Sequence, residues 1–146
     1  MNEYIRKLTQ TGELKHMLAP RLIGGLPLLG IGMMHLTGAA PMRPILEAAN
    51  IPMVGLHAAL VPLVEIVAGA MLLAGAFARV GGVLAVLTMI GAIYAHAVAT
   101  WEDEPPIVLP IVVLVAAGYV VVRGAGAWSV DRKLQASTNS KPTKAD

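Results

Sequence analysis

Long apolar blocks separated by short polar or charged segments dominate this chain. Four blocks contain no charged side chain apart from one glutamate, and they cover residues 22–42, 52–77, 80–101 and 105–122. A bilayer core about 30 Å thick is spanned by about 20 helical residues, so each block is long enough to cross it. A few isolated strands cannot close a barrel in lipid. The pattern therefore predicts an all-α membrane protein, an antiparallel bundle of four transmembrane helices, the first of which ends near Gly38.

The basic residues fall almost entirely on one side of these crossings. All of the 11 lysines and arginines except Arg43 lie before the first block, after the fourth, or at Arg79 between the second and third. The positive-inside rule places that side, and both termini with it, in the cytoplasm. We expect residues 1–18 to form a cytoplasmic segment with a candidate interfacial helix, residues 19–133 the transmembrane domain, and residues 134–146 a disordered tail.

Composition narrows the functional classes. Charged residues make up 14% of the chain, whereas soluble domains carry about 25%. Cysteine is absent, which excludes disulfides, thiolate metal sites and thiol redox chemistry. The basic residues form no stripe interleaved with aromatic residues, so the expected partner is the lipid bilayer and not nucleic acid.

One carboxyl group lies deep inside the second block. Glu65 is the only Lys, Arg, Asp or Glu between residues 48 and 78. An ionised side chain at the centre of a bilayer costs at least about 2.5 kcal/mol. Glu65 is therefore expected to have a buried partner, to hold a proton, or to bind a ligand.

Three histidines are predicted to share one depth near the outer side. His35, His57 and His96 each lie about 5–8 Å below the outer boundary, and Glu65 lies about 12 Å deeper than His57. We consider three interpretations. In the first, His35, His57, Glu65 and His96, which we call the polar layer, form a ligand or proton site. Glu65 and His96 are then catalytic groups, and all four residues bind a quinone or similar headgroup. Alternatively the histidines hold haem or a metal, or they are only structural.

Small residues at four-residue spacing are candidates for helix contacts, because they let helices approach closely in lipid. They recur on the second and third predicted helices at Ala70, Ala74 and Ala78 and at Gly91, Ala95 and Ala99. Pro62 lies between His57 and Glu65, and a proline there is expected to bend the helix beside the polar layer.

Four sequence stretches follow one another in a recognisable order. They are APRLIGGLPLLGIGMMHLTG, LVPLVEIVAGAMLLAGAFARVGG, MIGAIYAHAVATW and GAGAWSVDRKL. The first has an arginine before a glycine-rich helix, and the second has a glutamate followed by glycines and by an arginine at a turn. The third has a histidine near its end, and the fourth is what we call the closing motif. This order resembles the DoxX/DoxD-like family of small four-helix membrane proteins over about residues 19–133. His35 stands where many members carry a lysine.

The resemblance implies a membrane subunit linked to redox chemistry, because members are similar to the small subunit of thiosulfate:quinone oxidoreductase. On this basis the chain would be an integral membrane component of a quinone-linked system. If it is an enzyme, it would be an oxidoreductase subunit, and it would work with a redox partner subunit. The location would be a bacterial or archaeal inner membrane. The alternative function is that of a non-catalytic assembly partner or a small-molecule carrier, and the third is that of a haem-binding or metal-binding protein. The chain could also form a homo-oligomer.

The closing motif is expected to have a structural role. Glycine suits a helix C-terminus, so the Gly-Ala-Gly at residues 124–126 should end the fourth helix. Ser129 or Asp131 is expected to cap backbone groups, and Trp128 to anchor at the inner interface. Asp131 is also a candidate ion-pair partner of Arg79 or Arg21. The residues expected to act together here are Arg21, Arg79, Trp128, Ser129 and Asp131.

Overall fold

All regular structure in the described part of the chain is helical. The computed structural model describes residues 7–99 and 107–139. A 3-10 turn at Lys15–Met17 precedes six helices: α1 Leu18–Thr37, α2 Arg43–Ala48, α3 Val54–Ala74, α4 Ala78–Val98, α5 Val108–Arg123 and α6 Val130–Asn139. The all-helical prediction is confirmed for these ranges. Trp101 and the acidic residues 102–104 lie outside them, as do residues 1–6 of the segment in which the interfacial helix is predicted.

Within residues 7–99 and 107–139, three helices are long and apolar enough to cross a membrane. They are α1 together with its 3-10 turn (Lys15–Thr37), α3 and α4. The fourth apolar helix, α5, has 16 residues, and at 1.5 Å per residue it is about 24 Å long. The chain is therefore a multi-pass membrane protein.

Glycines end α1, α3 and α5, and the sequence predicts two of these ends, at Gly38 and at residues 124–126. Gly38 follows α1 with φ 78°, Gly75 follows α3 with φ 63°, and Gly124 follows α5 with φ 79°. Only glycine adopts such angles without strain. The turn between α3 and α4 is consequently formed by residues 75–77 and not by Ala78-Arg79 as the charge pattern indicates, and Arg79 belongs to the first turn of α4.

Helices α1 and α3 approach so closely that their backbones nearly touch. A Cβ atom on Gly69 would lie 2.8 Å from the backbone nitrogen of Leu29 and 3.0 Å from the carbonyl oxygen of Gly25. One on Gly32 would lie 3.0 Å from Cβ of Glu65 and from the carbonyl oxygen of Pro62. Glycine is thus required at both positions for the helices to pack at this distance.

The predicted stripe of small residues is wrong at Ala70 and Ala74, whereas its third member, Ala78, is buried at the start of α4. Ala70 and Ala74 are exposed, whereas Ala68, Gly69 and Leu72 are buried. These buried positions continue from Glu65 with helical spacing, so the packed face is set by the side of α3 that carries the carboxyl group. On α4, Ala95 is buried, but Gly91 has no neighbouring atom within 4 Å of a Cβ.

Two regions flank the bundle. At one end, which we call the outer end, Ile45, Ala48 and Ile51 from α2 and its following loop pack against Ala95 and Ala99. At the other, which we call the basic end, α6 continues through Asn139. The predicted start of a disordered tail at residue 134 is therefore corrected, since the helix begun at Val130 extends beyond it.

Candidate functional site

Glu65 and His35 meet in the contact between α1 and α3. Nδ1 of His35 lies 3.0 Å from Oε2 of Glu65, and the side chains are 18% and 3% exposed, respectively. His35 follows Gly32 by three residues and shares its face of α1. Because Gly32 has no side chain, Glu65 can pack directly against α1 and reach the imidazole one turn further on.

The other two histidines of the polar layer, His57 and His96, form hydrogen bonds with backbone carbonyls of their own helices. Nδ1 of His57 lies 3.3 Å from the carbonyl oxygen of Met53, and Nδ1 of His96 lies 2.7 Å from that of Ala92. Side chains on a helix lean toward its N-terminus, so each imidazole reaches the carbonyl four residues earlier. The structure therefore brings together one histidine of the predicted polar layer with Glu65.

The second nitrogen of His35 is available for chemistry. Within residues 7–99 and 107–139, Nε2 has no hydrogen-bond partner. When Nδ1–H donates to the carboxylate, Nε2 of the neutral ring is an acceptor, and protonation makes it a donor. The carboxylate thus orients the imidazole through Nδ1, and Nε2 is the ring nitrogen that remains for another partner.

Pro62 places another unsatisfied polar atom on the same side of α3. Proline has no N–H, so the carbonyl of Ala58 lacks its usual donor four residues later. Ala58 precedes Glu65 by seven residues and therefore lies on the same face, about 10 Å toward the outer end. The face of α3 that carries Glu65 thus offers a backbone acceptor as well as a carboxyl group.

The metal and haem interpretation finds no ligand cluster in the described ranges. Among those residues, no group of three or more His, Asp or Glu side chains could hold a metal ion. A tetrahedral zinc site takes at least three protein ligands. The His35–Glu65 pair supplies two side chains, fewer than the number of ligands that such a site requires.

Arg21 is the most highly connected side chain at the basic end. It is 2% exposed, and its guanidinium donates to the carbonyl oxygens of Leu72 at 2.8 Å, Leu73 at 2.6 Å, Trp128 at 2.6 Å and Ala125 at 3.2 Å. These acceptors are backbone carbonyls, so Asp131, which the sequence predicts to pair with Arg79 or Arg21, is not among them. Arg21 thereby ties α1 to the end of α3 and to residues 124–129, which we call the closing segment.

Asp131 caps the start of α4 from a distant part of the chain. Its carboxylate oxygens accept the N–H of Phe77 at 2.7 Å and of Ala78 at 3.0 Å. Helix N-termini leave such donors unsatisfied. Burial raises the pKa of the Asp131 carboxyl, and the N–H groups of Ala78 and Phe77, followed by the charges of Arg21 and Arg79, oppose this rise.

Arg79 and Ser129, which the sequence groups with Arg21 and Asp131, also donate hydrogen bonds to backbone carbonyls. Arg79 donates to the carbonyl oxygens of Gln10 at 3.1 Å and Val121 at 2.7 Å. Ser129 Oγ donates to the carbonyl oxygen of Gly126 at 2.7 Å, and Trp128 is 62% exposed.

The structural role of Thr11 is not predictable from the sequence. Thr11 is buried, and its hydroxyl accepts the N–H of Gly126 at 2.5 Å. Threonine is common in polar segments, and nothing in the pattern distinguishes this one. The segment before α1 therefore packs on the closing segment, an arrangement that only the structure reveals.

Asp131→Ala is expected to lower the free energy of unfolding by about 2 kcal/mol, because it removes a cap and leaves two N–H groups without acceptors. Asp131→Asn keeps one acceptor and should lose less. Unfolding in mixed detergent micelles, followed by circular dichroism, measures the difference. Lys133→Ala, an exposed change on the same helix, is the control. Equal stability of the two alanine variants would contradict the capping role.

Comparison with known proteins identifies the family. A model of the DoxX family matches residues 16–98, a range that runs from the 3-10 turn through α4 and includes both His35 and Glu65. No curated protein and no solved structure matches the chain. The matched range is more than half of the 146 residues, and it confirms the resemblance seen in the sequence. The chain belongs to the DoxX family of membrane proteins.

Proposed function

We propose that this protein is the membrane component of a quinone-linked redox system and that His35 and Glu65 form its proton-exchanging site. The observation that carries the proposal is the 3.0 Å contact between Nδ1 of His35 and Oε2 of Glu65. It lies between two apolar helices of membrane-spanning length. A membrane quinone has a polar headgroup on an apolar tail and resides in the same lipid phase.

The pair has the chemical properties that such a ligand requires. A quinone takes up protons when it is reduced and releases them when it is oxidised. Nε2 of His35 donates a hydrogen bond to a headgroup oxygen when the ring is protonated and accepts one when it is neutral. Glu65 orients the ring through its contact with Nδ1, which leaves Nε2 to contact the headgroup. The electrons come from a partner or from a bound cofactor, because the chain has no cysteine and no nucleotide-binding fingerprint.

Quinone binding tests the proposal directly. Full-length protein in mild detergent is titrated with short-chain ubiquinone and menaquinone analogues, and bound analogue is measured by equilibrium dialysis and by its absorbance change on reduction. We expect Glu65→Gln and His35→Gln to weaken binding by about tenfold, the effect of losing a hydrogen bond between charged groups. Glu65→Gln should leave folding largely intact, because glutamine retains hydrogen-bonding capacity in the same volume.

His57→Gln and His96→Gln are matched controls. Both histidines lie toward the outer end but bond to their own helices, so their replacement should leave quinone affinity within about twofold. The proposal fails if no analogue binds the wild-type protein. It also fails if the His35 and Glu65 variants bind as tightly as the His57 and His96 controls.

A further inference from the structure

A second polar cluster lies at the basic end, away from the His35–Glu65 pair. Nε2 of His16, in the 3-10 turn, lies 3.2 Å from the hydroxyl of Tyr119 on α5, and this contact is exposed. The two ring centroids are 6.3 Å apart. Cζ of Arg123 lies 5.9 Å from the centroid of the Tyr119 ring. Lys15, the neighbour of His16, is also exposed. The 3-10 turn and the end of α5 thus present two cations, an imidazole and a hydroxyl together.

The cluster lies where apolar surface gives way to charge. Val115, Tyr119 and Val122 occupy one face of α5 at helical spacing, and their exposures are 65%, 39% and 71%. Exposed valines on a helix of this apolarity face acyl chains. The next residue after Val122 is Arg123, the last of the helix. Tyr119 and Arg123 therefore lie at the depth at which a lipid chain meets its headgroup.

No carboxylate in the described ranges neutralises this cluster. The acidic residues there are Glu13, Glu47, Glu65 and Asp131. Glu13 forms an ion pair with Arg132, and Asp131 is occupied by the start of α4. Glu65 is paired with His35, and Glu47 belongs to α2 at the outer end. Among the described residues, therefore, no carboxylate is paired with Lys15 or Arg123.

We propose that His16, Tyr119, Arg123 and Lys15 bind the phosphate of an anionic phospholipid headgroup. The guanidinium of Arg123 suits phosphate because it is planar and offers several donors. Lys15 adds a second positive charge. The Tyr119 hydroxyl and the His16 ring add hydrogen-bonding groups, and the exposed valines of α5 contact the acyl chains. The occupant is a bilayer lipid and not a soluble phosphate, since the cluster borders a lipid-facing surface.

Lipid selectivity tests this site independently of quinone binding. Full-length protein is reconstituted in phosphatidylcholine vesicles that contain spin-labelled phosphatidylglycerol or spin-labelled phosphatidylcholine, and the motionally restricted fraction is measured by electron paramagnetic resonance. We expect the wild-type protein to prefer phosphatidylglycerol severalfold. Arg123→Gln should reduce this preference about fivefold, the effect of one basic residue near an anionic surface. Tyr119→Phe should reduce it by less.

Lys133→Gln is the matched control, because it removes one positive charge from an exposed position on α6. Retained preference in this variant supports a site rather than a general surface charge, and an equal loss in Lys133→Gln and Arg123→Gln overturns the proposal. Absence of any preference in the wild-type protein also overturns it. Millimolar glycerol phosphate should leave the bound lipid in place, and displacement would identify a soluble phosphate ester as the occupant instead.

Discussion

Replacement of Arg21 by leucine is expected to lower the free energy of unfolding by about 4 kcal/mol, because several buried carbonyl oxygens lose their donor at once. The guanidinium serves four of them, on Leu72, Leu73, Ala125 and Trp128. It also fills the space beside Gly75, where a Cβ atom would lie 2.7 Å from Cζ of Arg21. Leucine would fill part of this space but donate no hydrogen bond. Unfolding in mixed detergent micelles, followed by circular dichroism, measures the loss.

Two further variants make the Arg21 result interpretable. Arg21→Lys retains the charge but has one nitrogen in place of three, so it should recover part of the stability and remain measurable if the leucine variant does not fold. Arg132→Leu removes an exposed arginine that pairs with Glu13, and a change within about 0.5 kcal/mol is expected there. If Arg21→Leu were as mild as Arg132→Leu, the central role of the guanidinium would be refuted.

Gly69→Leu should force α1 and α3 apart and destabilise the bundle by about 3 kcal/mol, the upper range for overpacking a tight contact. Its Cβ would lie 2.8 Å from the backbone nitrogen of Leu29 and 3.0 Å from Cβ of the same residue. Backbone atoms cannot rotate away, so the helices must separate. The separation should also lengthen the contact between His35 and Glu65 and weaken quinone binding together with stability.

Gly91→Leu provides the comparison for this prediction. Gly91 is also a helical glycine in an apolar span, but no atom lies within 4 Å of the position of a Cβ. Leucine there should change neither stability nor quinone binding. Similar losses in both variants would show that leucine is harmful in these helices for reasons other than the α1–α3 contact.

The sequence predicts much of the fold because lipid imposes strong local rules. Apolar block length identifies the helices, and Gly38, Gly75 and Gly124 mark their ends since few residues adopt a positive φ. The special environment of Glu65 is also visible, because a carboxyl group in a long apolar stretch is costly. These features depend on neighbours along the chain and not on contacts between helices.

The partners of Glu65 and Arg21 could not be predicted in the same way. His35, His57 and His96 have similar depths, and only the rotation of α1 against α3, fixed by Gly32 and Gly69, decides which of them meets the carboxyl group. The charge pattern favours an ion pair of Asp131 with Arg79 or with Arg21. Arg21 instead binds backbone carbonyls, which every residue carries and which therefore leave no mark in a sequence.

The bonds of Arg21 also impose an order on biosynthesis. Its acceptors follow it by 51 and 52 residues at Leu72 and Leu73, and by 104 and 107 residues at Ala125 and Trp128. A ribosome therefore delivers α1 to the membrane long before the closing segment exists. Until then Arg21 must keep its charge hydrated at the membrane surface, which a long side chain near a helix end can do. Arrival of the closing segment transfers the guanidinium from water to protein, so the first helix is fixed in place only after almost all of the described chain has been translated.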